Sequence, residues 1–432
     1  MMNITVLLIF IILLFALIET PLFTIIAALS IVCLYFIEYD PLALQLIIIE
    51  MNRLASMPVL IALPLFTFVG CLLSSTKAPE RIMNFIQALL GWLPGGIAIA
   101  ALCSCALFTA LTGASGVTIV ALGGVLFPIL RRQNYNEKFS LGLLTTSGSL
   151  GLLFPPSLPI ILYGVVSGIA ILDIFKAALV PGVLLIIVLS IYAFCHEFFS
   201  NDIKKQKISF KTISWSRAKA SLIVGMWDWP IIGIILIGVY GGFVTIIEVS
   251  AIVLVYVIIT ECFILKEVSF IKQVPGIMIE SAMLSGAIIV ILGFALGFTG
   301  YLVDEQIPNR ILAYLTALTN NKYIFLAGLN IFLLAAGCIM DIFSALVIIV
   351  PIMVPIALKY GIDPVHLCII FLVNLEIGYS TPPVGINLFI SSLKFEKPVT
   401  LLYRASIPYL LLLLGLLILI TYVPILSLYM IR

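Results

Sequence analysis

The sequence predicts an all-α polytopic membrane protein with two inverted repeats, each containing a re-entrant helical hairpin and a broken helix. Three observations support this fold class. The 432 residues are 63% hydrophobic and only 10% charged, whereas soluble domains are about half apolar and a quarter charged. Prolines recur at a fixed interval, and a Pro-Pro pair interrupts one apolar segment in each half. Paired broken helices are typical of secondary transporters.

An internal duplication relates the two halves. A constant shift of 227 in residue number matches four pairs of prolines, namely Pro128 with Pro355, Pro155 with Pro382, Pro156 with Pro383, and Pro181 with Pro408. Gly151 and Gly378 obey the same shift. A shift of 229 aligns PERI at 79–82 with PNRI at 308–311. Only 22 residues are proline, so a four-fold match in register indicates duplication.

Apolar segments of about 20 residues are long enough to cross the hydrocarbon core of a bilayer. The candidate spans are 3–18, 20–38, 55–75, 139–172, 176–199, 222–240, 243–265, 279–303, 365–393 and 400–428. The first lacks a basic n-region and a cleavage site, which favours a membrane span over a signal peptide. Segments 41–53 and 267–278 are more polar, which favours interfacial amphipathic helices. Segments 92–130 and 322–358 are punctuated by Gly or Pro and predict re-entrant hairpins.

The charged loops predict the orientation in the membrane. Loops 131–138 and 200–219 are both basic, which assigns them to the cytoplasm. Counting spans onward places 304–310 outside, where acidic residues prevail, and 394–404 inside, where basic residues prevail. The first hairpin then enters from the cytoplasm and the second from the opposite side, so the repeats are inverted. Loop 200–219 is the predicted linker between them.

Two motifs of the first half favour ligand binding. In TGASG at 112–116, small residues interrupt the helix and free backbone carbonyls, and Ser115 adds a hydroxyl. At Pro155-Pro156, the helix must break. Free carbonyls there suit a cation, and the N-terminus of the following half-helix near Ser157 suits an anion. A helix-packing face of small residues and a purely structural kink remain the respective alternatives.

The second half repeats this pattern with different side chains. The second break lies in GYSTPPVGIN at 378–387, and the second hairpin tip, near 337–344, contains Asp341. Acidic residues inside a membrane segment are costly and indicate function. Asp341 and Glu376 are therefore candidate cation ligands, proton carriers or hydrogen-bond partners, with a structural role in the hairpin as the alternative. Asn387 follows the break and is placed to face a substrate.

The remaining charges and thiols predict no further site. Asp173, Asp228 and Glu248 lie near predicted span ends, where solvation or an interfacial position accounts for them. His196 and His366 are isolated, and the eight Cys residues show no spacing typical of metal ligands. No tract rich in Lys or Arg favours nucleic-acid binding.

The motifs resemble those of the large membrane subunit (M subunit) of tripartite ATP-independent periplasmic (TRAP) transporters. The resemblance rests on SLGLLFPPSLPIILYG at 149–164, TGASG at 112–116 and GYSTPPVGINLF at 378–389, and it covers essentially the whole chain. It implies an elevator-type, Na⁺-driven importer of an organic acid, such as sialic acid or a dicarboxylate, in the bacterial inner membrane. It also implies a separate small membrane subunit that forms a heterodimer with this chain, and a periplasmic substrate-binding protein.

The resemblance also implies positions for the ligands. The first Na⁺ site carries over to Gly113, Ser115, Gly116, Gly151 and Pro155, and the second to Asp341, Gly378, Thr381 and Pro382. The substrate is expected to meet Ser149, Ser157 and Asn387. Val384 stands where the first copy has Ser157, so the two Na⁺ sites are not expected to be equivalent.

The predicted transport domain has two parts: residues 92–172, with the first hairpin and broken helix, and residues 322–393, with their counterparts. Residues 1–91, 173–321 and 394–432 form the predicted scaffold.

Three other classes of protein would share part of this pattern. A stand-alone inverted-repeat anion carrier or exchanger, coupled to H⁺ or Na⁺, shares the architecture and stays open. An intramembrane enzyme would need a catalytic set such as His-Glu-X-X-His, which the sequence lacks. A channel would need a symmetric filter from several copies, whereas this chain carries its own pseudo-symmetry.

Overall fold

The computed structural model describes residues 22–38, 45–199, 225–382 and 384–431, and all regular secondary structure in these ranges is helical. The predicted first span 3–18, the basic loop 200–219 and Pro383 lie outside the described residues. The helices are α1 Leu22–Glu38, α2 Gln45–Ala55, α3 Ala62–Ser74, α4 Ala78–Leu90, α5 Gly96–Thr112, α6 Ser115–Arg132, α7 Glu137–Ser147, α8 Leu158–Ser167, α9 Ile171–Phe199, α10 Trp229–Ile235, α11 Ile246–Ile258, α12 Val274–Asp304, α13 Ile307–Leu318, α14 Lys322–Ile339, α15 Ile342–Lys359, α16 Pro364–Gly378, α17 Ile386–Phe395, α18 Val399–Tyr422 and α19 Ile425–Leu428. Short 3₁₀ segments occupy Pro58–Ile61 and Leu150–Leu153, and π-helical segments occupy Leu236–Tyr240 and Ile259–Ile264.

Several of these helices are membrane-spanning. Within the described ranges, seven are long and apolar enough to cross a bilayer, or up to nine spans if each bent pair counts as one. One bent pair joins α2 to Pro58–Ser74 with a 71° bend, and the other joins Glu137–Leu153 to α8 with a 44° bend. The second bend coincides with the predicted break at Pro155. The prediction of a polytopic all-α protein with broken helices is confirmed.

The helix boundaries reproduce the duplication found in the sequence. The shift of 227 that matches the prolines also relates both ends of α6 to those of α15, and the start of α7 to that of α16. The shift of 229 relates the start of α4 to that of α13, two helices that were not predicted. Each repeat therefore contains a short helix, a hairpin, a broken helix and a long closing helix, in the same order.

The long helix α18 shows that the two hairpins open towards opposite ends of the molecule. Its 24 residues span about 36 Å at 1.5 Å per residue. Just before its N-terminus, Lys397 Nζ lies 2.6 Å from Glu137 Oε1 at the open end of the first hairpin. At its C-terminus, the Tyr422 hydroxyl donates to the carbonyl of Tyr323, at the open end of the second hairpin (3.2 Å). The hairpins therefore enter from opposite sides, as inverted repeats require.

Each hairpin also packs on the broken helix of the other repeat. The second helix of the first hairpin, α6, packs on α17, which follows the second break. Reciprocally, α15 of the second hairpin packs on α8, which follows the first break. A two-fold relation produces such reciprocal contacts.

The predicted interfacial helix at 267–278 is wrong. Residues 266–273 form bends and turns, and 274–278 belong to α12, a single helix of 31 residues. Pro275 lies in the first turn of α12, where a helix does not need the amide hydrogen that proline lacks, so the helix continues. The matching segment of the first repeat is instead bent near Pro58, and its first part, α2, lies close to the predicted segment 41–53.

Asp228 is not a solvated residue at a span end, as the sequence suggested. It is buried and accepts two hydrogen bonds from the Arg81 guanidinium, from Nε at 2.7 Å and from Nη2 at 2.9 Å. Arg81 also pairs with Glu261 at 2.5 Å and with Glu267 at 2.6 Å. These ion pairs tie α4 to the segments that flank α10 and α11. A solvated position was expected because the partner, Arg81, lies 147 residues away in the sequence.

The helices pack as two groups. Helices α1, α2, α3 and α11 pack against one another or against α12. The two hairpins and the two broken helices pack as the second group, and α9 and α18 pack mainly on this group. Both helices lie in segments that were predicted to belong to the scaffold.

Candidate functional site

The tip of the first hairpin is closed by small residues. Helix α5 ends at Thr112, Gly113 adopts a left-handed conformation with φ +68°, and α6 begins at Ser115. A Cβ atom on Gly113 would lie 2.6 Å from Cγ of Leu158, the first residue of α8. Glycine at this position therefore allows both the turn and the close approach of the half-helix beyond the first break.

The first break packs directly on this hairpin. After α7 ends at Ser147, the chain makes a 3₁₀ turn at Leu150–Leu153 and a cis Pro155-Pro156 peptide before α8 begins. A Cβ atom on Gly151 would lie 2.2 Å from the carbonyl oxygen of Ala106 in α5. The backbones of the hairpin and the break are therefore in direct contact at Gly151. Gly113 lies in the same interface, where the hairpin tip contacts Leu158, so both glycines of the predicted Na⁺ site lie between the hairpin and the broken helix.

Hydroxyls near this contact stabilise both the hairpin and the break. Thr109 Oγ1 lies 2.7 Å from Thr118 Oγ1 and 2.9 Å from the carbonyl oxygen of Gly148. The Ser157 hydroxyl donates to the carbonyl of Leu152, inside the break. The Ser149 hydroxyl lies 3.3 Å from the carbonyl oxygen of Thr146. The two predicted substrate serines thus stabilise the break itself, and the sequence analysis missed Thr109.

Backbone oxygens remain available at the break and at the hairpin tip. Within the described ranges, the carbonyl oxygens of Gly113 and Pro155 accept no hydrogen bond from the protein. Carbonyl oxygens are suitable ligands for a hard monovalent cation, and half-helix ends coordinate such ions in transporters. These two atoms are therefore candidate Na⁺ ligands.

Asp341 caps a helix at the tip of the second hairpin. Its carboxylate accepts hydrogen bonds from the Ser344 amide (3.0 Å) and the Ser344 hydroxyl (2.5 Å). The next amide, that of Ile342, donates to the Tyr379 hydroxyl at 2.5 Å. The tip therefore contacts the second break through Tyr379, and Asp341 has a structural role in addition to any role as a ligand.

The second break repeats the packing of the first. A Cβ atom on Gly378 would lie 2.6 Å from the carbonyl carbon of Gly337 in α14. The Gly385 amide donates to the carbonyl of Cys338 (3.1 Å). The Thr381 hydroxyl donates to the carbonyl of Ile377 (2.7 Å), and the Thr381 carbonyl accepts no hydrogen bond within the described ranges. Pro382, also in the predicted second site, is exposed.

The two halves of the site meet at Ser115 and Asn387. The Ser115 hydroxyl, at the first hairpin tip, donates to Asn387 Oδ1 beyond the second break (2.8 Å). A Cβ atom on the adjacent Gly116 would lie 2.7 Å from Cδ1 of Ile390. The structure thus joins a predicted Na⁺ ligand to a predicted substrate ligand across the two repeats.

Several buried polar atoms without hydrogen-bond partners belong to residues that lie near the second break in the sequence. Both carboxylate oxygens of Glu376, the Ser380 hydroxyl and Asn387 Nδ2 are buried and make no hydrogen bond in the described structure. Such atoms are few in native proteins, and each requires an explanation. The shift of 227 makes Glu376 the counterpart of Ser149, so the second repeat carries an acid where the first carries a hydroxyl. The sequence singled out Glu376 and Asn387 but not the hydroxyl of Ser380.

Comparison with known proteins connects this arrangement to a transporter family. The sequence model of the family described as "Tripartite ATP-independent periplasmic transporter, DctM component" matches residues 8–426. The C4-dicarboxylate TRAP transporter large permease protein DctM of Pseudomonas aeruginosa is 33% identical over 390 residues, covering 90% of each chain. The isethionate TRAP transporter permease protein DctMQ of Oleidesulfovibrio alaskensis is 33% identical over 380 residues, covering 87% of this chain and 58% of that protein.

A solved structure shares the fold. The crystal structure of the Alcanivorax borkumensis YdaH transporter, described as having an unusual topology, superposes with a TM-score of 0.62. The match covers 87% of this chain and 86% of that one, at 14% sequence identity. The likeness supports the predicted fold class of an all-α polytopic membrane protein.

Proposed function

The chain belongs to the DctM component family of tripartite ATP-independent periplasmic transporters, and from this premise we propose that it is the permease subunit of a Na⁺-coupled importer of organic acids. Such a permease works with a substrate-binding protein, and it is not an enzyme. The relatives named for C4-dicarboxylates and for isethionate support a small organic anion as the substrate. A separate small membrane subunit completes the permease in this proposal, and the assembly lies in the bacterial inner membrane.

The observation that supports this function most is the meeting of each hairpin tip with a helix break. At the first, the carbonyl oxygens of Gly113 and Pro155 have no donor in the part of the chain that the structure describes, and Ser115, Gly116 and Gly151 complete the proposed Na⁺ site. At the second, the proposed site contains Asp341, Gly378, Thr381 and Pro382, with a free carbonyl at Thr381. A cation at the second site would neutralise the Asp341 carboxylate, whose charge in this low-dielectric region is otherwise costly, and a cation at the first would be held by carbonyl and hydroxyl oxygens.

The organic anion is proposed to bind where α8 and α17 begin. The first amides of a helix and its dipole favour negative charge. Asn387 Nδ2 in the first turn of α17 has no partner among the described residues, so it is free to donate to a carboxylate. Ser149 and Ser157 shape this region mainly through the backbone they hold.

Coupling has a physical origin in this arrangement. Na⁺ ions that order the tips and the breaks would position Asn387 for the anion through Ser115. One positive charge moving down 100 mV contributes about 2.3 kcal/mol. A hundred-fold accumulation of solute costs about 2.7 kcal/mol, which a net inward movement of two positive charges would exceed. Each negative charge on the solute cancels one of them, so a dicarboxylate requires additional Na⁺ ions or the Na⁺ concentration gradient.

An elevator movement is proposed to carry the site across the membrane. The moving body includes the two hairpins and the two broken helices, as predicted for 92–172 and 322–393. The packing of α9 and α18 on these elements favours adding both to the moving body. The fixed scaffold then consists of α1, α2, α3, α11 and α12, with α10 attached to it. Helix α4 packs mainly on α5 of the first hairpin and is joined to the segments that flank α10 and α11 by the ion pairs of Arg81.

Uptake by the reconstituted assembly tests this proposal. The chain is placed in proteoliposomes with its small subunit, and the binding protein is loaded with a radiolabelled C4-dicarboxylate. Uptake is expected with an inward Na⁺ gradient and not when choline replaces Na⁺. Equal uptake in choline would contradict Na⁺ coupling. Uptake by the chain alone, without partners, would instead favour a stand-alone carrier.

A further inference from the structure

An apolar cavity of about 320 Å³ lies between the first hairpin and α10. Its wall includes Cys103, Ala106 and Ala110 on one face of α5, Pro155 at the first break, Ile186 of α9, and Leu236 after α10. Every residue that lines it is apolar. Water needs two to four polar partners to occupy a buried site. The cavity is therefore suited to a hydrocarbon group and not to water.

The cavity is continuous with the surface that faces lipid. Leu236, in its wall, is 42% exposed, and the next residue, Ile237, is 65% exposed. On α9, a membrane-spanning helix, Ile187 is 46% exposed beside the lining residue Ile186. Large exposed apolar side chains on a spanning helix contact the acyl chains of the bilayer. The hydrocarbon with direct access to the cavity is thus a lipid tail.

We propose that this cavity binds one acyl chain of a membrane phospholipid. The site selects a chain and not a headgroup, because no charged or polar side chain of the described ranges lines it. The bound chain lies between α10 of the scaffold and elements of the proposed moving body, against Pro155 of the first break. This binding is independent of Na⁺ coupling, so the two proposals can fail separately.

Photolabelling of the whole chain in nanodiscs tests the site. The probe is phosphatidylglycerol with a diazirine at the end of one acyl chain, and labelled peptides are identified by mass spectrometry. Label is expected on the face of α5 that carries Cys103 and Ala106. Ala106→Phe fills the cavity and should lower this label at least tenfold. Label on α9 near the lipid-facing residue Ile191 should not change.

A matched control and a second measurement complete the test. Ile191→Phe, on the exposed face of α9, should leave the labelling of α5 intact. In the unmodified protein, octyl methanethiosulfonate should modify Cys103, a half-buried free thiol, whereas its charged trimethylammonium analogue should not. The Cys103→Ser variant identifies the reaction. An unlabelled α5, or equal labelling of α5 in Ala106→Phe, would overturn the proposal, and so would a Cys103 that reacts only with the charged reagent.

Discussion

At the scale of single residues, the sequence located the ligand-binding segments better than it located the partners of their side chains. Ser115 and Asn387 were predicted separately, and the structure joins them by a hydrogen bond across 272 residues. Ser157 was predicted to face the substrate, but its hydroxyl bonds to Leu152 five residues away. Such pairings depend on side-chain direction, and residue spacing alone does not determine it.

Asp341 allows its two possible roles to be separated by substitution. Alanine removes both the negative charge and the N-cap, which costs about 1 kcal/mol, whereas Asp341→Asn keeps a good cap and removes only the charge. If Asp341 is a cation ligand, both variants should raise the Na⁺ concentration for half-maximal uptake about tenfold or more, equivalent to about 1.4 kcal/mol. If the Asn variant matches the wild type in Na⁺ titrations of uptake, the residue only caps the helix.

Arg81 and Arg310 occupy equivalent positions of the two repeats, since the shift of 229 relates them. Their environments differ. Arg81 is buried among three carboxylates. Arg310 pairs with Glu305 alone among the residues that the structure describes, and its side chain is 69% exposed. Removing one partner of a buried ion pair costs about 3–5 kcal/mol, whereas an exposed pair contributes about 0–1 kcal/mol. Arg81→Gln should therefore lower the thermal unfolding midpoint in detergent strongly, and Arg310→Gln should barely change it. Similar shifts in the two variants would show that the Arg81 cluster is not a stabilising contact.

At the scale of helices, the features set by backbone chemistry were predictable. Proline cannot donate an amide hydrogen, so the break at Pro155 followed from the sequence alone. The hairpin tip at Asp341 also lay within its predicted segment. Helices α4 and α13 were not predicted because they have only 13 and 12 residues, too few to cross a membrane. The structure of segment 267–278 depended on where α12 begins, and hydrophobic periodicity does not reveal that boundary.

The close approach of Gly378 to α14 gives a prediction at this scale. A methyl group at Gly378 would overlap the backbone of Gly337, and overpacking costs about 1–3 kcal/mol or more. Gly378→Ala should separate the hairpin from the break and abolish Na⁺-dependent uptake. The matched control is Gly328→Ala in α14, the helix that Gly378 contacts. A Cβ atom at Gly328 would meet nothing within 4 Å, so the uptake of this variant should equal that of the wild type. Normal uptake by Gly378→Ala would show that the tight contact is not required.

At the scale of the whole molecule, the inversion of the repeats was predictable, whereas the packing of α9 and α18 was not. The charges of loops 131–138 and 394–404 placed both on one side, and the ion pair between Glu137 and Lys397 joins these loops. Domain membership depends instead on packing between distant helices. Sequence order suggested that α9 and α18 close each half as scaffold, whereas they pack on the broken helices.

Two crosslinks distinguish these boundaries. Cysteines at Glu137 and Lys397 would join α7 to the start of α18, within the proposed moving body. Cysteines at Phe175 and Tyr240 would join α9 to the segment after α10, where the Tyr240 hydroxyl now donates to the Phe175 carbonyl (3.2 Å). After treatment with a short bifunctional methanethiosulfonate, the first pair should retain uptake, since its ends move together. The second should lose uptake until a reductant restores it, because the crosslink joins the moving body to the scaffold. The uptake of each variant before crosslinking serves as its own reference. Loss of uptake with the first pair and normal uptake with the second would instead show that α9 and α18 belong to the scaffold.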